Sequence, residues 1–558
     1  MKAMHILTAA EMQACDRITS ERFGISSLEL MRAAATAVVT FARQQFPRAR
    51  RVTVLCGTGN NGGDGMMAAR LLSDAGLDVT TVLLGLPAGK AGDAAVAWSE
   101  LGSGTHGAVR VVKAAEDLAS ARDLLDSDLI VDAVVGTGFK PPLRGLALAA
   151  LEWLKGSKAP VLAVDLPSGW GADDTSATAG KAVFPADAVI TFTAPKLAHV
   201  FGQLTRRWDQ PVVVAPIGSP DEAIVSSLDP KIRRIEWAGS AMGLIQEPRA
   251  AAANKRNFGH VLVVGGTLGT AGGKAGAPAM TSMAALRSGA GLVTAAVPAP
   301  AMALVSAFAP ELMTWPLAET GAGQISAENL DTEALAVLTS GKTVLAIGPG
   351  MGQSPETARF TTGLLSETKI PAVIDADALN ILATKPVLLA KLAKHRTVVL
   401  TPHPGEMARL AETTVADVQA NRLEMARGFA QRMGVTLVLK GARTLIAHPD
   451  GRVAVNTSGN PGMAKGGSGD LLTGVVAGFL AQYPTEVARA VEAAVYLHGL
   501  AADLAVQSTN EHTLLATDSL VQFSRAFRFH SQGDCGYVWL QGFPAQTKPA
   551  TGSHEAAE

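Results

Sequence analysis

Apolar residues in this chain gather into short runs, each closed by glycine, proline or a polar residue, with longer stretches of mixed polarity between them. In the first half the runs fall at 51–56, 78–84, 128–135, 160–165, 188–193 and 211–215. Intervening stretches such as Met66 to Ala75 carry apolar residues at helical spacing. Runs of this length alternating with helices predict βαβ units and a mainly parallel sheet. The second half repeats the pattern at 260–265, 292–297, 343–347, 371–375, 397–401 and 435–440. There, Leu445 to Ala447 and Arg452 to Asn456, joined by His448-Pro449-Asp450-Gly451, predict a hairpin.

The pattern divides the chain into two α/β domains, 1–218 and 257–525, with a charged, irregular linker region at 219–256. Past Arg525 it fails, leaving a tail, 526–558, of unknown role that carries Phe527, Phe529, Tyr537, Trp539 and Phe543. The last dozen residues of that tail are expected to be disordered. A chain of 558 residues exceeds the size at which one core keeps growing, so two domains also follow from length. Hydrophobic residues at 48% and charged residues at 17% supply two large cores and argue against extensive disorder.

Charge and cysteine usage then exclude several classes. The net charge is −1, from 48 basic and 49 acidic residues, and no basic stretch interleaves with aromatics, so no nucleic-acid partner is expected. Cys15, Cys56 and Cys535 are too few and too scattered for a disulfide framework or a zinc site. Met1 to His5 runs at once into polar residues, without a signal-peptide apolar region. The uncharged stretch Ser288 to Pro310 is broken by Gly289, Gly291, Pro298 and Pro300, which favours a buried strand, a turn and a helix over a membrane span. A cytoplasmic enzyme with no membrane partner, forming a homo-oligomer, is the expectation.

Candidate chemistry sits in the loops. Asn460-Pro461-Gly462-Met463-Ala464-Lys465-Gly466-Gly467-Ser468-Gly469-Asp470 precedes an apolar helix. Its small residues let backbone approach a ligand, and the free N–H groups of the helix start favour phosphate. Asp470 then stands where it can take a proton from an attacking hydroxyl. In the first half, Gly57-Thr58-Gly59-Asn60-Asn61-Gly62-Gly63-Asp64-Gly65 follows the first strand, the position at which α/β sheets bind ligands. Asp132 and Asp165 each stand near the end of an apolar run, where a carboxylate is paired, caps a turn or is functional. With Asn61 and Ser168 they offer oxygen ligands suited to a hard cation.

These loops carry two family resemblances. Gly265-Gly266-Thr267, Gly348-Pro349-Gly350-Met351-Gly352, Asp375-Ala376-Asp377, Thr401-Pro402-His403-Pro404-Gly405-Glu406, Lys440-Gly441-Ala442-Arg443-Thr444 and the 460–470 loop together resemble the ADP-dependent NAD(P)H-hydrate dehydratases, from about Phe258 to Phe523. That family has a ribokinase-like fold. The asparagine loop, with Val131 to Gly138 and Val164-Asp165-Leu166-Pro167-Ser168-Gly169, is similar to the NAD(P)H-hydrate epimerases, from about Ile6 to Pro216, and implies a Rossmann-like domain.

The resemblances imply a fused enzyme that repairs hydrated NADH and NADPH. The epimerase half would interconvert the R and S hydrates at C6 of the nicotinamide ring, with Asp165 as acid/base and K+ held by Asn61, Asp132 and Ser168. Its substrate contacts match Asn60, Asn61, Gly62, Gly63, Asp64, Gly136, Thr137, Gly138, Phe139, Lys140, Pro141, Pro142 and Asp165. Lys196 also fits that pattern, or is a surface lysine after a strand. The dehydratase half would move phosphate from ADP to the C6 hydroxyl, with Asp470 accepting the proton, and then eliminate phosphate. Its hydrate contacts match Ala277, Gly352, His403 and Asp470, and its nucleotide contacts Lys440, Gly441, Ala442, Arg443, Thr444 and Gly469. Glu406 is a candidate for Mg2+ alongside the phosphates, and Asp375 and Asp377 read as helix caps. One segment departs from the family: Arg32-Ala33-Ala34-Ala35 replaces the usual Glu-Asn-Ala-Gly. A ribokinase-like small-molecule kinase, and a nucleotide-sensing protein with an inactive epimerase half, stand as rival readings.

Overall fold

The computed structural model describes residues 3–87, 92–102, 107–178, 180, 182–232, 234–270, 272–533 and 535–544. These divide into two compact units, one of residues 6–230 with 530–544, the other of residues 3–5 with 231–529. The tail segment expected to be disordered lies outside the described residues.

The first unit is built on an eight-stranded sheet. Its strands are β1 (Arg51–Cys56), β2 (Asp78–Leu84), β3 (Ala108–Val112), β4 (Leu129–Ala133), β5 (Val161–Val164), β6 (Ala188–Phe192) and β7 (Val212–Ala215). An eighth strand joins from the far end of the chain, Val538–Gln541, antiparallel to β7, while every other pair is parallel. The order runs from that late strand through β7, β6, β5, β4, β1 and β2 to β3. Every residue of β4, β5, β6 and β7 is buried, as strands covered by helices on both faces must be.

Two helices open this unit, α1 (Ala9–Phe23) and α2 (Ser27–Gln45). Each begins with a reciprocal capping box, Thr8 with Glu11 and Ser26 with Glu29, which satisfies N–H groups the first turn would otherwise leave free. Gly24 ends α1 in the left-handed conformation. On α1 the buried residues Met12, Cys15 and Thr19 fall at spacings of three and four, so one face turns inward. The third helix, α3 (Asn60–Asp74), follows β1.

Within the tail, whose role the sequence leaves open, Tyr537 and Trp539 belong to this unit's core. Tyr537 and Trp539 meet Phe41 of α2 edge to face, with ring centroids 6.4 Å and 6.0 Å away. The Tyr537 hydroxyl donates to the Ala37 carbonyl at 3.1 Å, and Gln541 donates to Thr205 Oγ1 and the Gln210 carbonyl, each at 2.9 Å. The polar ends of the segment are thus satisfied while its aromatic faces are buried.

The second unit carries a ten-stranded, mainly parallel sheet. Its strands are β8 (Ile235–Trp237), β9 (His260–Val264), β12 (Leu292–Pro298), β13 (Met313–Leu317), β14 (Val344–Ile347), β15 (Ala372–Ile374), β16 (Val398–Leu400), β17 (Thr436–Leu439), β18 (Leu445–Ala447) and β19 (Val453–Val455), with β10 (Leu268–Gly269) and β11 (Gly272–Gly273) as a separate small hairpin. The order is β13-β12-β9-β14-β15-β16-β17-β18-β19-β8, and β18 with β19 forms the expected hairpin.

Much of the region read as a linker forms regular structure. The helix Asp221–Ser227 packs against α1, and Glu11 accepts from the Asp229 amide at 3.0 Å. Further on, β8 pairs with β19, and Trp237 is fully buried. Its indole donates to Thr457 at 2.7 Å and its ring meets Tyr496 edge to face at 5.4 Å. Composition misled here because a three-residue strand, with Arg234 before it and Glu236 inside it, carries too short a pattern to read.

Candidate functional site

In the first unit the strand order reverses between β1 and β4, and the loops after these two strands flank a crevice. A cavity of about 800 Å³ opens there. Gly62 packs so tightly that a side-chain carbon would lie 1.9 Å from the Gly57 carbonyl oxygen, so only glycine brings the start of α3 this close to the loop. Asn60, Asn61 and Asp64 line the cavity, as do Gly136, Thr137, Gly138 and Phe139 on the opposite loop. Gly62 and Gly63 are buried inside the first turn of α3, and Lys140, Pro141 and Pro142 are exposed and outside the cavity wall.

Asp132, in β4, is fully buried and accepts from the Ser168 hydroxyl at 2.6 Å and the Ser168 amide at 2.8 Å. Burial raises its carboxyl to about 6 against these hydrogen bonds. Ser168 Oγ also accepts from the Val135 amide at 3.0 Å. Asn61 keeps a buried amide nitrogen with no partner beside the same turn, its side chain about 3.1 Å from where a Gly136 Cβ would sit. Asn61, Asp132 and Ser168 therefore gather around the 135–136 turn as an all-oxygen donor set.

Asp165 follows β5 at a φ of 66°, a conformation rare for a residue with a side chain. One of its oxygens takes the Thr137 amide and hydroxyl, both at 2.6 Å, and the other takes Thr191 and Lys196, both at 2.9 Å. Burial pushes its pKa up, but the Lys196 ammonium, His199 and these hydrogen bonds outweigh it and hold the carboxyl well below its usual range. Lys196 is therefore no surface lysine; it is 2% exposed. His199 donates from Nε2 to the Asp165 carbonyl at 2.7 Å and accepts the Lys196 amide at Nδ1, at 3.0 Å. Burial, then Lys196, lowers its pKa to about 4, which keeps the ring neutral. Arg32, in the departing segment, points outward to Glu100 at 2.7 Å, while Ala34 lines the cavity.

The second site is built the same way at the reversal between β9 and β14. A side-chain carbon on Gly265 would lie 2.3 Å from the Pro349 carbonyl oxygen, so the two loops touch backbone to backbone. Lys440, directly after β17, donates to Asp375 at 2.8 Å and lies 3.7 Å from Glu406. Burial works against its charge, yet Asp375, Glu406 and Asp470 raise its pKa. Asp375 does not cap a helix with its side chain; its other oxygen takes Thr473 at 2.7 Å. Asp377 instead ties down Gly352, whose amide it accepts at 2.9 Å.

Asp470 sits in the first turn of the helix Ser468–Gln482, after the left-handed Gly467. Burial, then the Asp375 charge, raises its carboxyl to about 6, with Lys440 and Lys274 opposing. A Cβ on Gly469 would lie 3.5 Å from Lys440 Nζ, which puts the glycine loop beside the lysine. The loop is braced from behind: Asp503 accepts the Gly459 amide at 2.8 Å and the Asn460 side chain at 2.9 Å.

His403 caps the helix Pro404–Leu410 through Nδ1, taking the Gly405 amide at 2.9 Å. Glu406 closes that capping box, its Oε2 accepting the His403 amide at 2.8 Å and lying 3.7 Å from Lys440 Nζ, with Oε1 3.4 Å from His403 Nε2. Gly441 and Arg443 both hold positive φ, 136° and 54°, with Ala442 between them. Arg443 donates to the Thr457 carbonyl and Thr444 to the Gly441 carbonyl. Ala277 lies in the first turn of the helix Gly276–Arg287, close to Gly350.

Sequence reasoning passed over Asp16. It stands on α1 with Met12 and Gln13 over the first cavity, in no loop motif, and only the folded chain brings it to Asp165 and Lys196.

A family model described as NAD(P)H-hydrate dehydratase matches residues 261–524, and one described as YjeF-related protein N-terminus matches residues 27–198. The chain is 41% identical over 528 residues to the bifunctional NAD(P)H-hydrate repair enzyme Nnr of Moorella thermoacetica, across 93% of this chain and 95% of that one. It is 34% identical over 516 residues to the enzyme of the same name from Escherichia coli, across 91% of each. Among solved structures, an ADP/ATP-dependent NAD(P)H-hydrate dehydratase from Bacillus subtilis, co-crystallized with ATP/Mg2+, is 30% identical with a TM-score of 0.44, across 52% of this chain and 96% of that one.

Proposed function

Because the chain belongs to the family of bifunctional NAD(P)H-hydrate repair enzymes, we propose that each unit performs one of the two reactions with its own site. The protein is a bifunctional enzyme, an NAD(P)H-hydrate epimerase joined to an NAD(P)H-hydrate dehydratase, the latter of ribokinase-like fold. The first unit, 6–230 with 530–544, interconverts the R and S hydrates, and the second dehydrates the S hydrate with ADP as phosphate donor. The observation that carries this division is that each unit sets a lysine-paired aspartate and a second carboxylate beside its own glycine loop.

In the second site, Gly466 to Gly469 and the start of the following helix cradle the transferring phosphate, and Lys440 adds a fixed positive charge. Asp470 takes the proton of the C6 hydroxyl as it attacks phosphorus. The bond from phosphorus to its bridging oxygen breaks toward AMP; phosphate then leaves C6 with its bonding pair while C5 gives up a proton, and that C–H pair forms the C5–C6 double bond. Lys440 to Thr444, with Gly469, contact the nucleotide, while Ala277, Gly352 and His403 contact the hydrate. Mg2+ would bind with the phosphates and screen their charge; among the described residues no cluster of three His, Cys, Asp or Glu side chains forms a cage for it.

In the first site, Asn61, Asp132 and Ser168 fit K+, whose charge would balance the buried Asp132. Asn60 to Asp64, Gly136 to Phe139 and Asp165 contact the hydrate. The enzyme works in the cytoplasm as a homo-oligomer; no single helix among the described residues is long and apolar enough to cross a membrane.

Incubating the full chain with mixed R and S hydrates and ADP, and following the absorbance of regenerated dihydropyridine, tests the reading. Consumption of both epimers faster than spontaneous interconversion supports it. Consumption of the S hydrate alone shows that the first unit is not the epimerase.

A further inference from the structure

Four carboxylates and one ammonium face the first cavity: Asp16 from α1, Asp64 from α3, Asp93 at the start of the helix Asp93–Gly102, Asp165 after β5, and Lys196 after β6. Their surroundings separate them. Asp165 is saturated by four donors and stays ionised. A carboxylate so held is a poor proton acceptor, because taking a proton would break bonds to Thr137, Thr191 and Lys196 at once. Asp64 is pushed well above the usual range by burial, and then by Asp165 and Asp16, which disfavours its ionised form. Asp16 is partly buried, and among the described residues no side chain or amide hydrogen-bonds to its carboxylate. Standing within the electrostatic reach of the Asp165–Lys196 pair and unheld by hydrogen bonds, it is free to gain and lose a proton.

We propose that Asp16 moves the proton in epimerisation, and that Asp165 is a positioning residue that stays anionic. This rests on the first unit being the epimerase. In the hydrate, C6 carries a hydroxyl and is bonded to N1, so it is a carbinolamine carbon. Asp16 takes the hydroxyl proton, the oxygen forms a carbonyl with C6, and the C6–N1 pair leaves to N1. The Asp16 carboxyl then protonates N1. Rotation about C5–C6 presents the other face of the carbonyl, and N1 re-attacks while its proton returns through Asp16 to oxygen. Atoms and charge balance with no further reactant, and a single carboxylate on one wall serves both epimers. Burial, against the pull of Lys196 and with the Asp165 charge adding to it, raises Asp16 to about 6, which suits exchange near neutral pH.

The experiment uses the full chain with Asp16→Asn and Asp16→Glu, following R-to-S interconversion by chromatography from pH 5 to 9. ADP-dependent dehydration of the S hydrate reports on the rest of the molecule. Asn in place of Asp16 breaks no hydrogen bond, so folding should survive. The expected result is an epimerisation kcat lower by about 10²–10⁴-fold, KM within about threefold, and loss of the fall in rate below pH about 6. Glu should restore part of the rate and the acid limb. An Asp16→Asn enzyme within about threefold of wild type, or one whose loss lies all in KM with the pH profile unchanged, overturns the proposal. Wild-type protein that does not speed interconversion overturns the epimerase reading itself, and the proposal with it.

Discussion

The two sites share a plan and differ in where the plan is written. Each pairs an aspartate just past a central strand with a lysine, Asp165 with Lys196 and Asp375 with Lys440. Each then sets nearby a carboxylate raised to about 6, Asp16 in one and Asp470 in the other. Asp470 belongs to the glycine loop itself, in the first turn of its helix, whereas Asp16 comes from the middle of a helix far away in sequence. The difference follows from the chemistry. Phosphate is held by consecutive backbone amides, so its loop and its base must be contiguous. A carbinolamine needs only one proton carrier at the right wall, and any element can supply it.

The largest effect expected from breaking this comparison is on turnover. Asp470→Asn should lower dehydratase kcat by about 10²–10⁴-fold and leave epimerisation unchanged. The wild-type rate should fall as pH drops below about 6, because Asp470 must be ionised to accept the proton, and the variant should lose that limb. A rate fall shared by both activities would show that the sites are not independent.

Next comes stability. Lys196→Met leaves Asp165 buried without its cation and should destabilise the first unit by about 3–5 kcal/mol, read by denaturant unfolding. Lys440→Met should cost the second unit about as much, because the Asp375 left behind is only 2% exposed. A clearly smaller loss at either lysine would show that its aspartate is satisfied without the cation.

Trp539→Ala should take about 3 kcal/mol from the first unit alone, since the ring is 6% exposed against Phe41, and dehydration of the S hydrate should hold its rate. The smallest change is expected at the departing segment. Arg32→Ala removes only an exposed pair with Glu100 and should shift stability by less than about 1 kcal/mol, with epimerisation within twofold. A larger loss of rate would place that segment in the substrate's path.

Legibility followed burial. Strands β1 and β2 match the apolar runs end to end, because strands covered on both faces read as continuous apolar sequence. The edges were missed: β3 has one buried residue in five and carries Arg110, and β13 contains Pro316 and only one buried residue. At the sites, loop residues were legible because close backbone approach demands glycine and asparagine in an unbroken string. Lys196 and Asp16 were not, because a buried lysine and a surface one look alike in sequence, and what surrounds them is supplied by other parts of the fold. Asp375 was misread as a cap for the same reason: its partners, Lys440 and Thr473, lie 65 and 98 positions on.

The late strand that completes the first sheet also sets a timetable. β7 ends at Ala215, but its antiparallel neighbour begins at Val538, after the whole dehydratase unit has been made. At roughly 5–20 residues per second on the ribosome, the 323 positions between them (538 − 215) take on the order of 15–65 s. Through that interval the nascent epimerase sheet presents β7 as an open edge, with Phe41 lacking its two aromatic partners. Newly made chains therefore pass through a stage in which the dehydratase unit is complete and the epimerase unit is still waiting for its last strand, and that stage is where chaperones and proteases meet it.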